Sequence, residues 1–187
     1  MPNPRLASRY AKSLIDLSIE KGQLEDVYAD MQWLNKITVS NPDFVSVLRS
    51  PVIKSDKKIK IVEAVVAGNI GEITLAFTRL LISKGRESNF PEIISSFITL
   101  YKEYKNIHTV KLTTATPVSA DVKEAIVSQV KKSGGYENIE LQTAIDEKLI
   151  GGFVLQTGDK LIDASIAYDL KTIARQFENN DFIYKIR

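Results

Sequence analysis

Apolar residues recur three and four positions apart through the first part of the chain, which is the spacing of amphipathic helices. Short polar breaks that contain glycine, proline or asparagine separate successive segments of this kind. The six segments cover residues 6–21, 24–39, 42–48, 55–67, 71–84 and 91–104. Helices joined by short connections are typical of a compact bundle, so the pattern predicts an all-α six-helix bundle.

The period of the apolar pattern changes from about 3.6 to 2 near Ile107, which marks a change from helix to strand. Residues 110–114 and 139–143 alternate and predict strands, and the segment between them predicts a helix. A hairpin and a last helix follow, in the order β-α-β-β-β-α. We therefore predict two domains, an N-terminal bundle over residues 1–106 and a small C-terminal α/β domain over residues 107–187.

Glycines stand at two places in the predicted hairpin. Gly158 lies between two apolar runs, where glycine can adopt the positive φ of a tight turn. Gly151 and Gly152 stand at the mouth of the first run, where a side chain would normally help a strand to pack. The pair therefore predicts a bulge or a close approach of the backbone to another element.

Asp146 and Asp163 flank the hairpin and admit two interpretations. Two carboxyl groups in different environments can act as an acid and a base. Alternatively, one carboxylate caps a turn while the other joins Ser165 in ordering the start of the last helix. The sequence favours the second interpretation.

Two predicted helices carry more apolar surface than a small bundle needs. Their stripes recur at i, i+3, i+4 and i+7, so each occupies one face of its helix. The stripes are Tyr10, Ser13, Leu14 and Leu17 on the first helix and Phe77, Leu80, Leu81 and Lys84 on the fifth. If the two helices lie side by side, the stripes form a groove for a partner helix. On periodicity alone, a core role for both stripes is an equal alternative.

Composition narrows the class of protein. The 187 residues are 44% apolar and 26% charged, which is ordinary for a globular protein, and a net charge of +2 gives no strong attraction to nucleic acid or anionic lipid. The chain has no cysteine for disulfides or thiolate chemistry. It also has no apolar run of the ~20 residues that a membrane span needs, and no signal-peptide pattern at its start. We expect a soluble intracellular protein.

Residues with typical catalytic or ligand-binding patterns are scarce. His108 is the only histidine, so a transition-metal site is not expected. No phosphate-binding or dinucleotide-binding glycine pattern occurs, and we expect no cofactor. Lys54, Lys57, Lys58 and Lys60 form a basic cluster that either contacts phosphate or is a solvated helix face; the second is favoured because no aromatic side chain is interleaved with it.

Several short motifs follow one another along the chain. They are Arg-Tyr-Ala-Lys-Ser-Leu at 9–14, Gly-Gln-Leu-Glu at 22–25, Leu-Arg-Ser-Pro-Val-Ile at 48–53, Thr-Ala-Thr-Pro-Val-Ser at 114–119 and Leu-Ile-Gly-Gly at 149–152. In this order the chain resembles the delta subunit of F-type ATP synthases, called the oligomycin-sensitivity-conferring protein in mitochondria. The family usually has glycine where Ala164 stands and often arginine where Ala167 stands, and this chain departs from that pattern at both positions.

The resemblance implies a non-catalytic stator subunit. In that family the helical bundle holds the N-terminal helices of the alpha subunits of the catalytic head, and the C-terminal domain holds the membrane-anchored b stalk. The head is thereby kept from turning with the rotor, and proton-driven rotation yields ATP synthesis. The two stripes then become the contact with an alpha-subunit helix. The implied location is peripheral, on the cytoplasmic face of the bacterial plasma (inner) membrane, with contact to the membrane only through the complex.

Two other functions stay open at this stage. A small α/β enzyme could place its site between the domains, where one sequence does not reveal it. A nucleic-acid-binding module could use the lysine cluster, and its binding would then depend steeply on salt. We expect neither activity, and no nucleic acid among the partners.

Overall fold

The computed structural model of the chain describes residues 4–134, 138–158 and 160–178. The chain divides between Tyr104 and Lys105 into two compact units, two residues before the predicted division. The first unit is helical and the second combines a sheet with helices. A helical N-terminal part and an α/β C-terminal part are therefore confirmed.

The N-terminal unit consists of helices and a short 3-10 turn. The helices are α1 Pro4–Glu20, α2 Leu24–Ser40, α3 Pro42–Arg49, α4 Ser55–Val66, α5 Glu72–Ser83 and α6 Phe90–Tyr104, with the turn Glu87–Asn89 before α6. Helix α1 packs mainly on α6 and also on α2, while α5 packs on α2 and α4. The core lies where α6 meets α1 and α2, and Phe90, Phe97, Met31 and Leu34 are almost fully buried there.

A carboxylate of one helix caps the start of another in this unit. Helix α5 begins after Gly71, which has no side chain with which to cap it. Asp30 of α2 fills that role, because its Oδ2 accepts hydrogen bonds from the Gly71 amide at 2.8 Å and from the Thr74 hydroxyl at 2.6 Å. A negative charge at a helix N-terminus is favourable, so this contact fixes the start of α5 on α2.

A polar contact also joins α2 to α6. The rings of Tyr28 and Tyr101 stack with their centroids 3.7 Å apart, and the Tyr101 hydroxyl donates a hydrogen bond to Glu25. Burial raises the pKa of Tyr101 above its ordinary value, and the hydrogen bond to Glu25 raises it further. The hydroxyl therefore stays protonated and keeps donating to Glu25.

The C-terminal unit has a four-stranded sheet in the order β2-β1-β3-β4. Its elements are β1 Ile107–Thr114, α7 Ala120–Gly134, β2 Asn138–Ile145, β3 Gly152–Thr157, β4 Lys160–Ser165 and α8 Ile166–Glu178, with a 3-10 turn at Glu147–Leu149. Strands β1 and β2 are parallel, as a connection through a helix allows, and the other neighbouring pairs are antiparallel.

One face of this sheet forms the core of the unit. Val110 and Leu112 of β1 are fully buried and Leu155 of β3 nearly so, with Leu112 opposite Leu155 in the register. Ile126 and Val130 of α7 pack against this cluster. Successive strand residues point to opposite faces, and the alternate residue Lys111 is exposed. The alternation of apolar and polar residues in the sequence is therefore the alternation between core and solvent.

The glycines of the hairpin occupy conformations that need glycine. Gly158 has φ of +55° and lies in the two-residue loop between Thr157 and Lys160, which are paired; Asp159 lies outside the described residues. Gly152 has φ of +75°, and a Cβ there would lie 2.1 Å from the Ala164 carbonyl oxygen. The backbones of β3 and β4 thus approach each other at Gly152 more closely than any side chain permits.

Candidate functional site

The structure divides the two predicted stripes between the core and the surface. Leu14 is 1% exposed, and Phe77 and Leu81 are also buried. These three side chains pack inside the helical unit, so they are not available to a partner. Leu17 and Leu80 are 40% and 45% exposed. The remaining stripe residues are also accessible, with Ser13 and Lys84 exposed and Tyr10 half-buried.

The exposed part of the α5 stripe lies on the flank away from α4. Arg79 of α5 pairs with Glu63 of α4 at 2.6 Å, so this side of α5 faces α4. Successive helical residues are about 100° apart, so Leu80 lies just over a quarter of a turn from Arg79, while Lys84 follows the last residue of α5. Leu80 and Lys84 are both exposed, so this flank of α5 stays accessible beside α4.

The accessible residues of the α1 stripe lie at the edge of the buried face of α1. Ala7, Ala11, Leu14 and Ile15 form the buried face, and Tyr10 and Leu17 lie along one edge of it. The Ser13 hydroxyl donates to the Arg9 carbonyl in its own helix at 3.0 Å. Ser13 is therefore a small side chain between Tyr10 and Leu17, and its hydroxyl already has a hydrogen-bond partner within α1.

Helices α1 and α5 both pack on α2. In the described part of the chain, α1 and α5 make few contacts with each other. The flanks of α1 and α5 thus stay open. We call the five accessible residues the α1–α5 surface. They are Tyr10, Ser13, Leu17, Leu80 and Lys84.

A second apolar surface lies on α8, and sequence reasoning did not single it out as a site. Ile166, Leu170 and Ile173 recur at i, i+4 and i+7, and each is about half exposed. Helix α8 contacts β4 and the 3-10 turn Glu147–Leu149. We call these three residues the α8 stripe. Its spacing was readable in the sequence, but only the structure shows that about half of each side chain stays exposed.

The two aspartates beside the hairpin cap turns, and they are not arranged as an acid and a base. Asp146 Oδ1 accepts from the Lys148 amide at 3.0 Å, and Asp163 Oδ1 accepts from the Ser165 amide at 3.0 Å. The buried Ser165 hydroxyl in turn accepts from the Tyr168 amide at 3.2 Å and so caps α8. With Gly151 and Gly152, these groups form the joint between the hairpin and α8.

The lysine cluster is not a uniform solvated face, which corrects the interpretation that the sequence favoured. Lys58 is only 3% exposed, and its Nζ donates to the Leu48 carbonyl at 2.8 Å and to Glu87 at 2.7 Å. Lys58 therefore ties α4 to the end of α3 and to the turn before α6. Lys54, Lys57 and Lys60 are exposed, which leaves three lysines rather than four on the surface.

In the described ranges, no group of three or more histidine, cysteine, aspartate or glutamate side chains is placed to hold a metal ion. None of the described helices combines the length and the apolar character that crossing a bilayer requires. His108 is exposed on β1. The α1–α5 surface and the α8 stripe are the features of the described residues that we consider further as binding surfaces.

Comparison with known proteins assigns the family. The family model described as ATP synthase delta (OSCP) subunit matches residues 6–177, which is most of the chain. The chain belongs to the ATP synthase delta (OSCP) subunit family. Members of this family are structural subunits, and the chain is accordingly a non-catalytic stator subunit of F-type ATP synthase, a peripheral component of that complex.

Individual relatives agree with this family over their full lengths. The chain is 38% identical over 181 residues to ATP synthase subunit delta of Cytophaga hutchinsonii, covering 95% of this chain and 96% of that protein. It is 34% identical to the delta subunit of Christiangramia forsetii over the whole of both chains. A chain in the cryo-EM structure of the Toxoplasma gondii mitochondrial ATP synthase hexamer has a TM-score of 0.70 at 21% identity, covering 92% of this chain and 97% of that one, which shows the shared fold.

Proposed function

We propose that this delta-family subunit joins the catalytic head to the peripheral stalk through two different apolar surfaces. The α1–α5 surface binds the N-terminal helix of an alpha subunit of the head. The C-terminal unit binds the b subunits of the stalk through the α8 stripe. The complex lies at the cytoplasmic face of the bacterial plasma membrane. The observation that carries this proposal is that both units expose apolar side chains on helices, Leu17 and Leu80 on the first unit and the α8 stripe on the second.

The chemistry of the α1–α5 surface suits a helix. Leu17 and Leu80 offer two apolar anchors on separate helices, and the aromatic side chain of Tyr10 lies on the same face of α1 as Leu17. An amphipathic helix binds in this way, by inserting side chains from one face between two helices. A few buried anchors contribute most of the affinity, and such a contact can reach a nanomolar Kd, about −12 kcal/mol.

A stator connection must also stay closed while torque acts on it. Apolar anchors that lose their water on binding act mainly by slowing dissociation. Charge steering, in contrast, acts mainly on the association rate and is screened by salt. The small net charge and the apolar surfaces therefore favour complexes with the head and the stalk that are stabilised by slow dissociation rather than by fast association.

The proposal is tested with the purified full chain and two probes. One is a synthetic peptide that copies the start of the alpha subunit, and the other is the soluble segment of the b subunit. We expect the peptide to bind one-to-one and to gain helicity, and a ternary species to form when both probes are present, as measured by calorimetry and sedimentation. Binding of the two probes that is mutually exclusive, or no binding of either, would contradict the proposed link.

A nucleic-acid-binding function would give a different result in the same calorimetric titration. It predicts affinity for single-stranded polyanions that falls steeply with salt concentration. The burial of Lys58 against Glu87 removes one of the four lysines on which that function depended. We therefore expect weak, salt-sensitive interaction with oligonucleotides and salt-tolerant binding of the alpha peptide.

A further inference from the structure

Strand β2 lies at the edge of the sheet. It ends the order β2-β1-β3-β4, and among the described residues it pairs with β1 alone. The Asp146 amide donates to the Thr114 carbonyl of β1 at 2.9 Å, in continuation of the parallel ladder. Alternate residues of a strand direct their backbone groups to opposite sides, so the odd-numbered residues of 139–145 direct their amides and carbonyls away from β1. These residues present a row of backbone donors and acceptors to which another strand can bind.

A groove lies beside this edge, between β2 and α7. Its volume is about 470 Å³, and its walls are Leu141 and Thr143 of β2 with five residues of α7, which are Lys123, Glu124, Val127, Ser128 and Lys131. Leu141 and Thr143 are odd-numbered, so the same residues line the groove with their side chains and present their backbone groups at the edge. The side chains on one face of an added strand would therefore lie in this groove.

The charges that line the groove are mainly positive. Lys123 and Lys131 belong to its walls, and neither takes part in an ion pair among the described residues. Glu124 is the acidic residue of the lining, and Asp121 of the same helix does not line the groove. Glu140 of β2 points to the other face of the sheet, because its neighbours along the strand face the core. With two lysines against one glutamate, the complementary partner is acidic.

The spacing of the α7 residues matches that of an extended chain. Lys123, Val127 and Lys131 are four residues apart and lie along one side of the helix, about 6 Å from one to the next. Side chains on one face of a strand recur at every second residue, about 6.7 Å apart. A helix that connects two parallel strands runs back along the sheet, so this row lies alongside β2. An added strand would place an acidic, an apolar and a second acidic side chain opposite the three residues in turn.

A second copy of the chain is a poorer occupant of this edge. Two copies that pair through β2 would bring the lysine rows of their α7 helices side by side. Like charges that face each other across paired elements are destabilising. An acidic segment meets no such repulsion from Lys123 and Lys131.

We propose that the groove between α7 and β2 binds an extended acidic segment of another protein, which adds to the sheet as a strand next to β2. The side chains of this segment that enter the groove are acidic, apolar and acidic at alternate positions. Main-chain hydrogen bonds to residues 139–145 provide affinity, and contacts with Lys123 and Lys131 select the sequence. The groove is separate from the α1–α5 surface and the α8 stripe, so this inference goes beyond the proposed function.

The full chain is titrated with a capped heptapeptide of sequence Thr-Glu-Thr-Val-Thr-Glu-Thr, which carries this pattern on one face. Calorimetry measures the affinity, and hydrogen exchange followed by NMR shows which amides become protected. We expect one-to-one binding and new protection of the amides of Ile139, Leu141 and Thr143. The amides of Glu140 and Gln142 already bond to β1, so their protection should change little.

The charge and the strand geometry are tested separately. Lys131→Glu should weaken binding at least about fivefold at low salt. Lys111→Glu makes the same change at an exposed position on the other face of the sheet and should bind like the wild type. A peptide with lysine in place of both glutamates should bind the wild type more weakly than the acidic peptide does. Of two peptides N-methylated at alternate residues, one should lose binding, because only one set of amides faces β2.

Several results would overturn this inference. They include no binding of the acidic peptide at millimolar concentration, or equal binding of the lysine peptide. Protection of α7 without protection of residues 139–145 would show that the groove does not accept a strand. A wild-type dimer that protects the same amides without peptide would assign the edge to a second copy of the chain. Neither the alpha-subunit peptide nor the b segment enters these measurements, so their outcome leaves the proposed function unaffected.

Discussion

Replacing Gly152 by alanine is expected to destabilise the C-terminal unit by about 3 kcal/mol or more. Two effects add at this position. The φ of +75° costs any residue with a Cβ, and that Cβ would lie 2.1 Å from the Ala164 carbonyl oxygen. The obstacle is backbone and cannot rotate away, so β3 and β4 must separate where Gly152 pairs with Ser165. Since the Ser165 hydroxyl also caps α8, the position of the α8 stripe should be lost as well.

Gly158→Ala is the matched control. Gly158 also has positive φ, but a Cβ there meets no atom within 4 Å, so only the conformational cost of about 1–2 kcal/mol applies. Hydrogen exchange over residues 107–165 measures both variants, while fluorescence of Trp33, the single tryptophan, reports on the helical unit. We expect much faster exchange in the Gly152 variant than in the Gly158 variant, which should exchange only moderately faster than the wild type. Equal protection in the two variants would show that β3 and β4 do not approach closely at Gly152.

Leu80→Asp is expected to weaken binding of the alpha-subunit peptide by at least about 30-fold, which corresponds to about 2 kcal/mol, while the chain stays folded. Leu80 is nearly half exposed, so an aspartate can remain hydrated in the free protein. In the complex the same carboxylate would be buried in an apolar contact without a partner charge. Titration calorimetry measures the affinity, and circular dichroism measures the helicity.

Two further variants show whether the loss is specific to the surface. Val65→Asp changes a residue of α4 that is 39% exposed and lies outside the α1–α5 surface, so it should bind the peptide like the wild type. Leu14→Asp places a charge in the core, so we expect this variant to lose helicity even without the peptide. Normal binding by Leu80→Asp, or equal loss in Val65→Asp, would remove α5 from the proposed contact.

The sequence predicted the division into a helical part and an α/β part because the two periods of the apolar pattern differ. Helical spacing stops near Ile107, and alternation begins there. Alternation tells which residues share a face of the sheet, and the burial of Val110 and Leu112 follows it. It does not tell which strands are neighbours, so the position of β1 between β2 and β3 required the structure.

The stripe on the first helix shows where periodicity alone stops being informative. Leu14 and Leu17 are three residues apart, and either fits the apolar face of a helix. The structure buries the first and exposes the second because α6 and α2 cover only part of the circumference of α1. Which part is covered depends on the angle at which the helices pack, and a local pattern does not contain that angle.

Long-range polar contacts were also out of reach of local reasoning. Lys58 pairs with a glutamate 29 positions away, and Asp30 accepts from the amide of Gly71, 41 positions later, just before α5. In the sequence each is one charged residue among several, since only its partner in the fold gives it a structural role. The aspartates near the hairpin were easier to interpret, because Asp146 and Asp163 each bond an amide two positions along the chain.

Reattachment of the catalytic head to stripped membranes tests the central claim most directly. Membranes freed of peripheral subunits are mixed with purified head, with or without this chain, and the ATPase activity that sediments with the membranes is measured. The account predicts that the wild type restores attachment and that a chain carrying both Leu17→Asp and Leu80→Asp does not. Attachment that is equally good without the chain, or with the double variant, would contradict it.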